Sequence, residues 1–206
     1  MYWYQLLAIA SAIICAISCL FHVVKLIHYG KPTDFSRKSG DVGGSIKYSY
    51  TGAMSPLKKE SAFLHLPTYA AGILYHIGTF LSLFLFIMFI IGIVPVGLFS
   101  YIFSLVLLVS GISGLGILVK RIVKEQLRAL SNPDDYISNI LVTLIQLMTA
   151  FSLIVSAVPP AYYILTSILF LYLPIGKLKH TVYFFAARYH LGFFYGWRGV
   201  WPPKQG

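Results

Sequence analysis

Five apolar stretches constrain this chain more than any other feature of its sequence. They cover residues 4–26, 63–94, 98–119, 137–158 and 161–173. Each of the first four can supply the ~20 residues that a membrane-spanning helix needs. The fifth is shorter, but apolar residues continue past Lys177 and Lys179, whose long side chains can reach the membrane interface. The sequence therefore predicts an all-α integral membrane bundle of five helices, forming a single membrane domain, 1–206.

The composition agrees with a membrane protein. Hydrophobic residues make up 58% of the chain and charged residues 11%, whereas about 25% of a soluble domain is charged. The net charge of +10 does not indicate nucleic-acid binding, because the basic residues are confined to particular loops. The first apolar stretch has no basic segment before it and no small-residue cleavage pattern, so we expect it to stay in the protein as a helix.

The sixteen Lys and Arg residues predict the orientation of the bundle. All lie in the first loop with its flanking helix end, in the third loop, or in the C-terminal segment, and none lies in the second or fourth connection. Short loops rich in Lys and Arg stay in the cytoplasm. We therefore expect the N-terminus outside and the C-terminus inside, in the cytoplasmic (inner) membrane of a prokaryote. The expected helices cover about 4–28, 63–94, 98–128, 137–158 and 160–188, with a cytoplasmic loop, 29–62, and tail, 189–206.

The polar residues exclude several kinds of function. All six Asp and Glu residues lie in loops, which argues against a transporter that relays protons or cations through buried carboxylates. No nucleophile with its base, phosphate-binding glycine loop or cysteine cluster occurs. Cys15 and Cys19 lie one turn apart in the first helix, where we expect them to pack as small apolar residues.

Histidines are the remaining candidates for chemistry within the membrane. His76 lies about 17 residues from the outer end of the second helix, or ~25 Å, and His180 about 20 residues from that of the fifth, or ~30 Å. Two histidines at similar depth on different helices suit a haem with one imidazole on each face of the iron. This pattern predicts His76 and His180 as axial ligands of a haem.

Other histidines are alternatives. His22 reaches ~28 Å by the same count, and it could be a ligand, a quinone partner or a hydrogen-bonded core residue. His65 and His190 lie at comparable depths to each other, ~12–15 Å farther into the cytoplasm. They could serve a second haem or a quinone, although solvent-facing or partner-facing roles are favoured. Lys25 and Tyr75 are further quinone candidates, and His28 is expected at the surface.

Three segments resemble a known family. They are FLHLPTYAAGILYHIGTFLSL at 63–83, LPIGKLKH at 173–180 and YTGAMSPLKKE at 50–60. They are similar to the membrane cytochrome b subunits of the nitrate reductase gamma family, in particular to subunits that accompany heterodisulfide-reductase-like iron–sulfur proteins. The resemblance implies a five-helix bundle that carries electrons between menaquinone, or a similar lipophilic carrier, and a cytoplasmic iron–sulfur subunit.

The resemblance also bears on the number of haems. Family members usually hold two haems between the second and fifth helices, and His76 and His180 match the ligands of the haem nearer the cytoplasmic partner. The other pair does not match, since Phe86 stands in one place and Tyr162 or Tyr163 in the other. We therefore expect one haem b, with two as the alternative. A cofactor-free membrane anchor or assembly subunit is the alternative function. Any enzyme activity, as a quinone or quinol oxidoreductase, would belong to a multisubunit complex.

Overall fold

In a computed structural model of the chain, the structure describes residues 1–30, 32–55 and 64–203. These residues form helices and contain no strand, so the predicted all-α class is confirmed. Short 3-10 turns occupy Gly52–Met54 and Lys177–Lys179. The helices, in chain order, are α1 (Trp3–His28), α2 (Val42–Tyr50), α3 (Leu66–Ile90), α4 (Leu98–Val123), α5 (Glu125–Ala129), α6 (Pro133–Ile154), α7 (Pro160–Tyr172) and α8 (His180–Trp197).

Four of these helices, α1, α3, α4 and α6, are each long and apolar enough to cross a membrane. The pair formed by α7 and the segment Lys177–Trp197 passes the same test only when it is counted as one broken span. The described residues thus contain four to five potential spans, which fits a multi-pass membrane protein.

The fifth predicted helix, 160–188, is broken. Helix α7 ends at Tyr172, and α8 begins at His180 and runs to Trp197, into the segment expected to be a tail. Pro174 lies in the break. Proline has no N–H group to donate, and its ring clashes with the carbonyl four residues earlier, so a helix does not continue through it. Gly176 closes the turn by donating its N–H to the Tyr172 carbonyl at 2.9 Å.

Other helix ends differ from the expected ones for local reasons. Helix α3 ends at Ile90 because Gly92, with φ +81°, starts a turn. The third predicted helix, 98–128, is interrupted at the extended residue Lys124, so that α4 and α5 are separate. Helix α6 begins four residues earlier than expected because Asn132 and Asp135 form a capping box around Pro133.

Some residues used in the sequence argument lie outside the described part of the chain. The expected start of the second helix at Phe63 and the end of the YTGAMSPLKKE segment are among them. The basic and acidic residues in this group are Lys31, Lys58, Lys59, Glu60 and Lys204.

The chain forms two compact units. The first unit consists of Met1–Ile17 and Pro67–Leu178, and the second of Ser18–Leu66 and Lys179–Gly206. The first half of α1, with α3, α4, α6 and α7, therefore belongs to the first unit. The second half of α1, with α2 and α8, belongs to the second.

Small residues let α4 and α6 pack closely in the first unit. The buried face of α4 carries Ser100, Ser104, Ser110, Gly111 and Gly114. Hydroxyl groups on this face donate to α6, as Ser100 does to the Leu153 carbonyl at 2.7 Å. Close contact between small residues and hydrogen bonds between helices are the usual means by which helices associate in lipid. The α4–α6 pair therefore forms the centre of this unit.

In the second unit, α2 packs against α8 through glycine contacts. A Cβ atom at Gly192 would meet the Ile46 Cα at 2.6 Å, and one at Gly196 would meet the Ser45 Cβ at 2.6 Å. Ser49 donates its hydroxyl to the Arg188 carbonyl at 2.7 Å. The backbones of the two helices thus approach each other too closely for larger side chains. Part of the polar loop expected between the first two spans is therefore an ordered helix.

Replacing Gly114 by alanine should destabilise the first unit. The new Cβ would overlap the Tyr75 ring and would lie 2.5 Å from the Thr143 Oγ1. Overpacking of this kind typically costs about 1–3 kcal/mol. We expect Gly114→Ala to unfold at a lower temperature than wild type in detergent. Gly116→Ala on the same helix is the control, because a Cβ atom at Gly116 would have no neighbour within 4 Å. Equal melting temperatures for the two variants would contradict this packing.

Candidate functional site

His76 lies near the middle of α3, ~15 Å from its start and ~21 Å from its end. Its Nδ1 lies 2.7 Å from the Gly72 carbonyl oxygen. A carbonyl only accepts, so Nδ1 carries a proton in this contact, and the lone pair of a neutral imidazole bonded in this way lies on Nε2. This is the arrangement in which a metal-binding histidine is usually held. The donor set and tautomer of His76 therefore fit an axial ligand of haem iron.

The face of α3 beside His76 is held by a cluster of polar side chains, which we call the polar clamp: Tyr75, Thr79, Ser110, Thr143 and Gln146. Gln146 donates to the Tyr75 carbonyl at 3.0 Å and to Thr79 at 2.9 Å. Ser110 donates to the Gln146 amide oxygen at 2.8 Å. Of these residues, only Tyr75 was a candidate from the sequence, as a quinone partner, although polar residues within apolar spans were the available signal for the others.

Aromatic side chains fill the space about three turns further along α3. Phe86 lies edge-to-face with Phe170 at a centroid separation of 5.0 Å, and Phe89 with Tyr162 at 5.4 Å. All four side chains are buried, Tyr162 completely. The resemblance described above would place Phe86 at one outer ligand position and Tyr162 or Tyr163 at the other. At these positions the protein has a packed aromatic core.

His180 is the first residue of α8 and belongs to the second unit, whereas His76 belongs to the first. The estimate that placed His180 ~30 Å from Pro160 assumed one straight helix. The break after Tyr172 removes that assumption. His180 is exposed on the protein surface, as is His76. Its assignment as a ligand stays a prediction.

His22 contacts Tyr183 in the second unit. The Tyr183 hydroxyl lies 3.2 Å from the His22 Nδ1, and the ring centroids are 5.7 Å apart. His22 is half-buried, and Tyr183 is its hydrogen-bond partner within the protein. This contact agrees with the third role considered for His22, that of a bonded core histidine, without testing the others.

A cavity of about 820 Å³ lies between the second half of α1 and α8. Drug-sized ligands occupy pockets of ~300–1,000 Å³. Three successive positions on one face of α1 line it, Val23, Leu26 and Ile27, and α8 contributes Val182, Phe185, Ala186, Tyr189 and His190. The lining is mainly apolar, with His190 among its few polar groups. The cavity suits a lipophilic molecule that carries a hydrogen-bonding group.

The other candidates lie at the surface. His65 is exposed in the turn before α3, and His28 is exposed at the end of α1. The Lys25 ammonium lies 5.9 Å from the centroid of the Tyr29 ring. Among the described residues there is no group of three or more His, Cys, Asp or Glu side chains that could hold a metal ion.

The polar loop and the C-terminal segment form a surface that we call the loop–tail dock, residues 34–50 and 185–201. Asp34 accepts from Arg198 at 2.5 Å, and the Trp197 indole donates to the Ser36 carbonyl at 2.7 Å. Hydrogen bonds from Ser36, together with Arg198, hold the pKa of Asp34 below its ordinary value. These contacts attach the loop to the end of α8.

The chain matches no protein family, no curated protein and no solved structure. The resemblance to cytochrome b subunits therefore rests on the three segments quoted above.

The loop–tail dock should loosen at acidic pH. Because the folded-state pKa of Asp34 is lowered, its contribution is present above the ordinary aspartate pKa of ~3.9 and is lost as the pH falls through the folded value. We expect cleavage within 32–55 by an acid-stable protease to accelerate as the pH falls below ~4. Asp34→Asn lacks the charged carboxylate, so it should be cleaved rapidly already at pH ~4.

Glu125→Gln, which removes an exposed carboxylate from α5, is the control for this measurement and should behave as wild type. If Asp34→Asn and wild type were cleaved at the same rate throughout, the ion pair with Arg198 would have no part in holding the loop.

Proposed function

We propose that this chain is the haem b-containing membrane subunit of a respiratory complex. It would exchange electrons between a menaquinone-like carrier and a cytoplasmic, heterodisulfide-reductase-like iron–sulfur subunit. The observation that carries the proposal is His76, an exposed imidazole near the middle of an apolar span whose Nδ1 proton is engaged by Gly72. An imidazole held in this tautomer carries on Nε2 the lone pair that a haem iron binds.

His76 and His180 are the residues that would hold the haem. Bound haem b supplies a site that takes up and releases one electron at a time. The protein would supply the two imidazoles, the tautomer of His76 and an apolar surrounding that excludes water. The packed aromatic core around Phe86 and Tyr162 supports a single haem, because it fills the level at which family members carry the other one.

The cavity between α1 and α8 is the place we propose for the lipophilic carrier. Its size and apolar lining suit a quinone ring with part of its isoprenoid tail. His190 would give a hydrogen bond to a quinone oxygen. The neighbouring His22–Tyr183 pair, with donor and acceptor 3.2 Å apart, would be available to exchange a proton. His65 and Lys25 are weaker candidates, because they are not among the residues that line the cavity.

The partner would bind at the cytoplasmic face. If Lys- and Arg-rich loops stay inside, then the loop–tail dock faces the cytoplasm and the N-terminus lies outside, in a prokaryotic inner membrane. Exposed Arg37, Lys38 and Lys47 in the dock would complement an acidic iron–sulfur subunit. The same charges would also favour anionic lipid.

A cofactor-free membrane anchor is the second candidate, and one observation favours it. His22 is bonded to Tyr183 and His76 to Gly72, so both imidazoles have protein partners without a haem. An anchor predicts a colourless protein, whereas a cytochrome absorbs in the Soret region.

The haem proposal predicts one haem b per chain, quantified by pyridine haemochrome on the purified protein, with a reduced-minus-oxidised spectrum typical of cytochrome b. His76→Ala and His180→Ala should each lose it, because each variant removes one of the two imidazoles that would hold the haem. His28→Ala, which removes an exposed imidazole at the end of α1, is the control and should retain the haem.

Two haems per chain would bring His65, His22 and His190 back as ligands. A folded, colourless wild type from cells supplied with haem would reject the electron-transfer function and favour the anchor.

A large side chain placed in the cavity should impair carrier binding without affecting haem binding. We expect Ala186→Trp to retain the haem and to slow its reduction by a menaquinol analogue by about tenfold or more, since the indole would occupy the lining of the pocket. Ala187→Trp is the matched control, because Ala187 is the next residue, exposed and outside the lining. Equal stopped-flow reduction rates in the two variants would place the carrier elsewhere.

A further inference from the structure

Gln146 is completely buried, in the interior of α6 about 20 Å from its start. A primary amide buried in an apolar span costs several kcal/mol unless its groups are hydrogen-bonded. Both ends of this amide are bonded. Its nitrogen donates to the Tyr75 carbonyl and to Thr79, and its oxygen accepts from Ser110.

All of these bonds converge on the turn of α3 that carries His76. The Tyr75 carbonyl, which accepts from Gln146 at 3.0 Å, belongs to the peptide unit that joins Tyr75 to His76. The Ser110 hydroxyl lies 2.8 Å from the Gln146 amide oxygen and 2.9 Å from the Leu74 carbonyl oxygen, and its single proton is donated to one of them at a time. Gln146 of α6 therefore bonds the peptide unit immediately before the histidine, and Ser110 of α4 lies against the same part of α3.

The same turn is fixed at two further points. The Tyr75 hydroxyl donates to the Asn139 carbonyl on α6 at 2.8 Å. A Cβ atom at Gly78 would overlap the Ser110 hydroxyl. Helix α3 therefore touches α4 directly at this level, and it can neither rotate nor slide without breaking a buried hydrogen bond.

A rotation of α3 would move the His76 ring, because the ring projects from the side of the helix and its χ1 is limited to a few rotamers. The bond from Nδ1 to Gly72 ties the ring to its own helix, so that the ring turns with the helix. The orientation of the imidazole thus follows from the contacts that α3 makes with α4 and α6.

We infer that Gln146 is the positioning residue for His76, fixing through the Tyr75 and Thr79 contacts the direction in which the imidazole presents Nε2. The inference depends on the haem function proposed above. The bonds of Gln146 to α3 go to the Tyr75 carbonyl and the Thr79 hydroxyl, so we expect it to act on the imidazole through the position of that helix. Removing its amide should therefore alter the geometry of ligation while both ligands remain present.

The test compares the full-length purified wild type, Gln146→Leu and Gln146→Glu by electron paramagnetic resonance of the ferric haem, redox titration and haem content. The low-spin gmax value reports the relative orientation of the two imidazole planes. We expect Gln146→Leu to shift gmax and the midpoint potential, and to lower haem affinity by at most about tenfold, the lower end for residues outside the ligand set. Gln146→Glu, whose protonated carboxyl keeps one donor and one acceptor, should lie between Gln146→Leu and wild type.

Ser152→Ala is the matched control, because Ser152 is buried on the same helix and donates only to the Met148 carbonyl of that helix, at 2.8 Å. It should leave gmax and the potential unchanged. A haem-loaded Gln146→Leu with wild-type gmax and potential would overturn the inference. If Gln146→Leu did not fold, an unchanged gmax in Gln146→Glu would overturn it equally. A wild type without haem would instead reject the proposed function, so the two failures are distinguishable.

Discussion

In a membrane, the association of helices depends on small residues and buried hydrogen bonds, because lipid tails solvate apolar side chains as well as a protein core does. The centre of the first unit follows this constraint. Serines and glycines of α4 lie against α6, and Gln146 joins α3, α4 and α6 through bonds of 2.8–3.0 Å. The apolar residues of the same helices are left largely to face lipid, as the exposed Ile87 and Ile112 do.

The polar clamp therefore has two structural effects at the level of His76. It holds three spans together, and it fixes the part of α3 that carries His76. Further along α3, Phe86 and Phe89 pack against aromatic residues of α7, and these contacts are purely structural.

In the second unit the contacts between helices are of another kind. Helix α2 is attached to α8 by glycine contacts and by side chains that bond to carbonyl groups. The cavity between α1 and α8 adjoins the His22–Tyr183 pair along both helices.

The spans could be predicted from the sequence because a run of ~20 apolar residues has few other uses. Pro174 also indicated a break, but the apolar residues on both sides of it suggested a continuous helix. The depth estimated for His180 depended on that continuous helix. The packing of α2 on α8 could not be predicted, because a glycine-rich loop gives no periodic signal and its partner lies about 150 residues away. The hydrogen-bond partners of Gln146 could not be predicted either, since a single polar residue in a span does not indicate which helix it will face.

The proposed function depends on one haem b held by imidazoles from two helices. The most direct measurement is a cryo-electron microscopy map of the complex purified from native membranes, at a resolution that shows side chains. We expect the map to show one porphyrin held by His76 and His180, with Gln146 bonded to the turn of α3 that carries His76. A map with no porphyrin, or with iron held by any other histidine pair, would contradict it.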